Sequence, residues 1–429
     1  MKSQHVLILG GGLIGLCSAY ALVRDGHTVT IIERETLGSG AAQGNAGEVT
    51  PLQVTPLASP SMVKDITTGV FSRSAYLSIA LGKLPWLAGF GIGFLRKSTR
   101  SAQARSTAAL QQFSDGMFPS FDAMADAGID IGGGGEGFLF TSSVPGEIEG
   151  MHAGCLARSS PERGDAPGPI LRGDELHQLE PSLHPSVTAG FLAPKERFLT
   201  PSRFVASLIS WLTERGVEVR EGTEAVRLTT VAGKPGALVR GPGGNTETVS
   251  ADAVVVTAGA RSPELAKRSG THLSGAAGKG YSFTVPVKTL PKYVVHAIDR
   301  HCVLTPMDGQ LRVVGMMEFD GRPETLNADR IDFLRDSAAG VVANADWAGR
   351  TNEWVGPRPM TPDGMPALGP LPGFPRTFVA TGHNMHGLSL GPVTGDVIAD
   401  LVAERTPRSN GAPVDLTPFA PGRMHRFIG

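Results

Sequence analysis

The stretch HVLILGGGLIGLCSAYALVRDGHTVTIIER occupies residues 5–34, and its first six residues already constrain the fold. An unbroken apolar run of that length suits a strand covered on both faces. Beyond it Leu13, Leu16, Ala19, Tyr20 and Val23 recur on one side of a predicted helix that stops at Gly26, and HTVTIIER reads as a second strand. Gly10, Gly12 and Gly15 form a GxGxxG turn between the first strand and the helix. Such glycines permit a tight turn, close approach of backbone to a pyrophosphate, and close helix–strand packing. The helix start, at Leu13 and Ile14, offers amide donors to the phosphates. Glu33, with Arg34 beside it, ends the second strand, where an acid accepts hydrogen bonds from ribose hydroxyls. This unit predicts a dinucleotide site without choosing between NAD and FAD.

Working outward, GSGAAQGNAGEVTP (38–51) places small residues, among them Gly44, Asn45, Ala46 and Gly47, where backbone can lie against a phosphate or a flat ring. ADAVVVTAGA (251–260) reads as another buried strand, ending in Thr257, Ala258 and Gly259. RTFVATGHNMHGLSLGPVTGDVIADLVAER (376–405) reads as strand, glycine turn, helix. Residues 61–127 are predicted mostly helical, and 200–216 form an amphipathic helix with Thr200 as N-cap ahead of Pro201. Between 281 and 318, alternating runs such as YSFTVPV and QLRVVGMMEF suit an antiparallel sheet. Nucleotide-type elements thus lie at both ends and in the middle, with the sheet between them. The expected fold is α/β with two interleaved domains: 1–58, 196–275 and 355–405 binding the cofactor, 59–195 and 276–354 binding substrate, and 406–429 a tail.

The 429 residues are 41% apolar and 18% charged, with a net charge of −1, which argues against disorder and against a nucleic-acid partner. Cys17, Cys155 and Cys302 are few and far apart, so a disulfide framework or a zinc site is not expected and a reducing, cytoplasmic setting is. The N-terminal apolar run reads as too short for a signal peptide. YLSIALGKLPWLAGFGIGFLRKS (76–98) is strongly apolar but interrupted by Lys83, Pro85 and glycines. It reads either as buried or lid structure or as a segment touching a membrane surface.

WVGPRPMTPDGMPALGP (354–370) holds one basic residue, Arg358, between Pro357 and Pro359. Both prolines restrict the backbone around it. The segment is either a solvated surface turn or a device that holds one guanidinium still.

Taken in order, VLILGGGLIGLCSAYAL, GNAGEVTP, GKGYSFTVPV, LRVVGMMEF, GPRPMTPDGMPALG, GHNMHGLSLGPVTG and VDLTPFAPGRM resemble the FAD-dependent oxidoreductases of the D-amino acid oxidase superfamily. The likeness is greatest to bacterial D-amino acid dehydrogenases and glyphosate oxidoreductase, and it spans nearly the whole chain. The resemblance implies a Rossmann-type FAD-binding domain interleaved with a substrate domain whose antiparallel sheet covers the flavin. It implies non-covalent FAD, its ADP half at Gly10, Gly12, Gly15 and Glu33, and its adenine near Val226. It places the isoalloxazine beside Asn45–Gly47 and Gly382–Leu390, including His383, Gly387, Leu388 and Ser389. Arg358 would grip a substrate carboxylate by two parallel hydrogen bonds.

Tyr281, Met385 and His386 are further candidates on the substrate side, although Tyr281 can equally pack in the sheet and both histidines can be structural. Glu48 and Lys279 read as structural or solvated. Val303 stands where some relatives carry a tyrosine, and Met385 where glycine oxidase-like relatives carry an arginine, which implies a more apolar pocket. The implied activity is oxidation of an amino acid C–N bond by hydride transfer to flavin N5, with electrons passing to a quinone, the respiratory chain or oxygen. The alternatives are oxidation of a secondary amine or cyclic imino acid of the hydroxyproline, sarcosine or glyphosate type, or a flavin electron-transfer subunit of a larger complex.

Overall fold

The structure is a computed structural model that describes residues 2–69, 76–80, 82, 84–132 and 134–423. Positions 81 and 83 of the apolar segment 76–98, and the end of the tail, lie outside the described residues.

The chain opens with β1 (His5–Leu9), α1 (Leu13–Arg24), β2 (Thr28–Ile32) and β3 (Glu48–Val49). It continues through α2 (Pro60–Gly69), β4 (Leu77–Ile79), α3 (Leu84–Lys97), α4 (Arg100–Gln111) and α5 (Ser114–Asp126). Next come β5 (Gly135–Ser142), α6 (Glu147–Arg158), β6 (Leu171–Arg172), α7 (Asp174–Leu179), β7 (Ala189–Phe198) and α8 (Pro201–Glu214). The middle holds β8 (Glu218–Arg220), β9 (Glu224–Val231), β10 (Lys234–Arg240), β11 (Thr246–Ser250), β12 (Ala253–Val256) and α9 (Ser262–Arg268). The second large block is β13 (Ala276–Val285), β14 (Val294–Ala297), β15 (Cys302–Met307), β16 (Gln310–Phe319), α10 (Ala328–Ala338) and β17 (Thr351–Met360). The chain then returns through β18 (Ala367–Pro370), β19 (Thr377–Thr381) and α11 (Gly387–Val402).

One sheet has the order β18-β19-β12-β1-β2-β8, parallel except where β18 meets β19. Its apolar strands are continuous because both faces are covered. Val6, Ile8, Val29, Ile31 and Val255 face a helical layer that includes α1, α8 and α11. Leu7, Leu9, Ile32, Val254 and Val256 face the three-stranded sheet β9-β10-β11 and α9. Within the helical layer α1 and α11 pack closely. A Cβ placed at Gly395 would lie 2.4 Å from the Cys17 carbonyl oxygen. α5 falls in the stretch expected on the substrate side, yet its Met117, Phe121 and Met124 enter this same helical layer.

The larger sheet has the order β17-β13-β16-β15-β14-β5-β7-β3, with β4 on β16 and β6 on β7. It is mostly antiparallel, as the alternating runs predict, but β5–β14 and β4–β16 are parallel pairs. β4 also divides the apolar segment 76–98, because Leu77–Ile79 joins the sheet and α3 begins at Leu84. Among the described residues no helix is long and apolar enough to cross a membrane. α8 begins as predicted with Pro201 in its first turn, but the Thr200 side chain makes no capping bond.

Gly395→Ala tests the helix crossing. Helix propensity alone would add about 1 kcal/mol of stability. Overpacking against the Cys17 backbone is expected instead to give a net loss of about 1–3 kcal/mol, read as a lower urea midpoint and Tm.

Candidate active site

A cleft of about 430 Å³ runs from the β1–α1 turn to the edge of the larger sheet. At one end the three glycines divide the work. Gly10 has φ +116°, and a Cβ there would lie 2.7 Å from the Thr257 carbonyl oxygen. A Cβ at Gly15 would lie 2.1 Å from the Gly10 carbonyl oxygen, whereas one at Gly12 would meet nothing within 4 Å. Two glycines therefore permit packing, and the third leaves backbone open to the cleft. α1 starts there with no side-chain cap and no acidic residue in its first turn, so its amides and positive dipole end remain available to an anion. Glu33 lines the cleft, accepting from the Gly11 amide at 2.7 Å and the Glu35 amide at 2.8 Å. Leu13, Ile14, Arg34, Thr257, Ala258 and Gly259 line it too. Val226 does not, although its neighbours Glu224 and Ala225 do.

At the other end the loop carrying Gly44 and Asn45 forms one wall. Asn45 Oδ1 accepts from the Gly47 amide at 2.7 Å, and the Ala46 carbonyl accepts from Thr305 Oγ1 at 2.8 Å. Gly47 has φ +80°, and a Cβ there would lie 2.0 Å from the Leu199 carbonyl oxygen. Ser389 Oγ donates to the Glu48 carbonyl at 2.9 Å and accepts from the Thr50 amide at 3.2 Å. Those bonds fasten the loop to the first turn of α11. α11 also lacks a side-chain cap, and its first residues Gly387 and Leu388 line the cleft. Gly382 takes φ +73°, and Asn384 behind it accepts from the Thr361 amide at 3.0 Å. Two uncapped helix starts facing one cleft fit an extended dinucleotide with a flat ring at its far end.

Arg358, Gly356 and Trp354 alternate along β17 and all line the cleft. β17 is the sheet edge, which tolerates Pro357 and Pro359. The guanidinium is seated on Gly280, where a Cβ would lie 2.3 Å from Arg358 Cζ, and it donates to the Met316 carbonyl at 2.7 Å. The Trp354 indole lies across Gly44 and Gly356, where added Cβ atoms would come within 1.9 Å and 2.0 Å of it. Among the described residues no carboxylate lies within ion-pair distance of Arg358. Part of its surface is open to the cleft, yet it is enclosed by protein. Burial lowers its pKa to about 10, opposed by the charge of Glu48, so it stays cationic at neutral pH.

The structure gives the other candidates different positions. Tyr281 is fully buried and does not reach the cleft. It packs with Phe283, Val285 and Leu334 between the sheet and α10, and its hydroxyl donates to Glu318. Lys279 is buried beside it, with Nζ 2.8 Å from both Glu318 and Asp320. Met385 is exposed and lines the cleft. His386 Nε2 donates to the Thr55 carbonyl at 2.9 Å, and His383 Nε2 meets Thr394 Oγ1 at 3.1 Å. Both imidazoles are thus tied into the frame. Sequence reasoning passed over Trp354 and Gly280, both of which line the cleft. The two-residue alternation through WVGPR could have pointed to Trp354.

The sequence model of the family described as "FAD dependent oxidoreductase" matches residues 5–401. The chain is 29% identical over 439 aligned positions to a D-amino acid dehydrogenase of Cereibacter sphaeroides, covering 99% of this chain and 97% of that protein. The crystal structure of glycine oxidase from Geobacillus kaustophilus is similar with a TM-score of 0.71 at 25% identity, covering 98% of each chain. That of L-proline dehydrogenase from P. horikoshii has a TM-score of 0.70 at 17% identity, covering 99% of this chain and 98% of that one.

Burial lowers the His383 pKa to about 3. The unfolded chain takes this proton near pH 6.5, so between the two values acid favours unfolding. Glu48, raised to about 7, acts in the opposite sense over part of that window, so the parent must be compared with His383→Asn at each pH. The parent urea midpoint is expected to fall, relative to the variant, as pH drops from 6.5 towards 4.

Proposed function

The chain belongs to the family of FAD-dependent oxidoreductases, and from that premise we propose that it oxidises the C–N bond of an amino acid whose carboxylate is held by Arg358. The observation that carries this reading is a partly buried guanidinium, seated on Gly280 between two prolines, that lines the cleft with no carboxylate within ion-pair distance among the described residues. An unpaired buried cation is costly, and a substrate carboxylate would supply two parallel hydrogen bonds as well as charge. FAD, when bound, supplies the two-electron acceptor that takes hydride from the substrate Cα. The protein's own contribution is orientation, since a carboxylate fixed at one end limits where Cα can lie.

The residues read as holding the cofactor are the amides at Gly12–Ile14, the Glu33 carboxylate, the Asn45–Gly47 loop and the start of α11. Non-covalent attachment is supported by the positions of Cys17, Cys155 and Cys302, all buried and none lining the cleft. The relatives named D-amino acid dehydrogenase favour a D-amino acid and an acceptor other than oxygen. The similarity to a glycine oxidase favours the second reading, a small or N-substituted amine. Both use the same arginine. For the acceptor, α3 turns Ile92 and Leu95, 50% and 56% exposed, outward beside Arg96 near its basic end. An apolar face ending in basic residues suits an anionic membrane surface, where a quinone would be met.

Two experiments test these readings. Anaerobic bleaching of the flavin should proceed with members of a panel of D- and L-amino acids, imino acids and N-substituted glycines. Arg358→Ala should lower kcat/KM at least 100-fold for whichever substrate is active while flavin content is kept; an unchanged value would sink the assignment. Ile92→Ser with Leu95→Ser should reduce flotation with phosphatidylglycerol vesicles several-fold and leave dye-linked activity unaltered.

A further inference from the structure

Two ion pairs meet on one carboxylate at the dinucleotide end of the cleft. Glu324 Oε1 accepts from Arg34 Nη2 at 3.2 Å and from Arg261 Nη2 at 2.8 Å. Arg34 also donates to Glu35 beside it. Arg34, Arg261 and Glu324 all line the cleft. Arg34 follows β2 and Arg261 follows β12, and β1 lies between those two strands in the sheet. The two arginines therefore flank the glycine turn that ends β1. Glu324 comes from elsewhere, on the loop that leaves β16 of the larger sheet for α10, and it joins them through a single oxygen atom.

That loop has a fixed base. Asp320, at its start, lies 2.8 Å from Lys279 Nζ and accepts from the Arg322 amide at 2.9 Å. Lys279 Nζ also donates to the Thr325 carbonyl at 2.9 Å. At the other end Asn327 Nδ2 donates to Glu318 at 3.3 Å, and its Oδ1 accepts from the Asp329 amide at 3.2 Å. Lys279, Glu318 and Asp320 are buried, so both shoulders of Glu324 are tied to the interior. Glu324 itself is 54% exposed.

Resting on the placement of the dinucleotide along the glycine turn, we propose that Glu324 is a retaining strap for the cofactor: its bridge from Arg34 to Arg261 closes the open side of the cleft, and the cofactor leaves when that bridge opens. A firm base with an exposed tip suits this use. The hydrogen bond from Arg261, with Arg34 adding to it, holds the Glu324 carboxyl below the usual carboxylate range, so the strap is charged at neutral pH. Exposed ion pairs are individually weak and are screened by salt, so such a closure slows exchange without forbidding it. Its sign separates it from plain electrostatics. A carboxylate in a cleft that receives a diphosphate repels it, and Glu324 also neutralises two arginines. On charge alone, removing Glu324 would slow the release of the cofactor; the strap predicts faster release.

The test follows FAD release from flavin-loaded protein by the rise in free-flavin fluorescence. In the parent, release should accelerate several-fold between about 50 mM and about 1 M NaCl. Glu324→Gln should release FAD about 3- to 10-fold faster at low salt, with a much weaker response to salt. Arg261→Gln should also release it faster, and adding Glu324→Gln to that variant should change little more. Glu264→Gln removes the same charge from the cleft lining, but Glu264 pairs with Arg268 within α9 and bridges nothing; it should not accelerate release. Release from Glu324→Gln at or below the parent rate would overturn the strap. So would an acceleration that keeps the full salt response, or an equal acceleration in Glu264→Gln. Gly12→Val checks the cofactor placement separately, because a Cβ there meets no protein atom within 4 Å and the added side chain should block FAD. If Gly12→Val still bound FAD as the parent does, that placement would fail and the strap with it. If Gly12→Val lost FAD while Glu324→Gln behaved as the parent, the strap alone would fail.

Discussion

The close crossing of α1 and α11 governs the rest of the structure. Gly395 sits against the Cys17 backbone with no room for a side chain, and that contact brings the last long helix beside the first. Each helix begins without a side-chain cap. Their crossing therefore points two sets of free amides, and two positive dipole ends, into one cleft. Separated by even one layer of side chains, the helices would present two distant half-sites. The loop from Gly44 to Thr50 is positioned by the same contact, since Ser389 on the first turn of α11 holds the backbone on both sides of Val49.

The substrate side rests on the contrast between the two faces of β13. On the face under α10, Lys279 is matched by Glu318 and Asp320, with the Tyr281 hydroxyl closing the set. That cluster is satisfied and fully enclosed, so it fixes the sheet and leaves nothing for a ligand. On the cleft face Gly280 has no side chain, and the Arg358 guanidinium occupies the vacated volume. Two cations a few residues apart in a strand pair thus have opposite settings, one neutralised by carboxylates and one, among the described residues, with no carboxylate in ion-pair distance. The edge position of β17 makes this possible, because prolines flanking Arg358 cost no ladder bonds on the outer side.

These two faces also show what could be read from the sequence. The strand–glycine–helix unit, the late strands and the Pro-Arg-Pro element carry local signatures, and each lies where its pattern implied. Tyr281 stayed undecided between pocket and sheet because both faces of β13 are buried; where no face is wet, alternation in hydrophobicity cannot say which side meets a cleft. Leu77–Ile79 was read with its helical neighbours because a three-residue strand is too short to show a period. Glu48 read as structural or solvated, since nothing local announces the burial that raises its pKa to about 7.

The order of strands in the nucleotide-type sheet has a consequence for how the protein is made. β19 lies between β12 and β18, and β12 pairs with β1, so the sheet is assembled from both ends of the chain. The cleft borrows its walls from residues as far apart as Gly10 and Leu388. During synthesis on the ribosome the first glycine turn emerges with no partner for its open side. It waits through some 370 further residues, which at about 5–20 residues per second is of the order of a minute or less. Over that interval the face of α1 that meets α11 stays uncovered. Seating of the cofactor is accordingly a late event that closes folding, and a chain cut short before α11 would retain its dinucleotide fingerprint without a place to hold the dinucleotide.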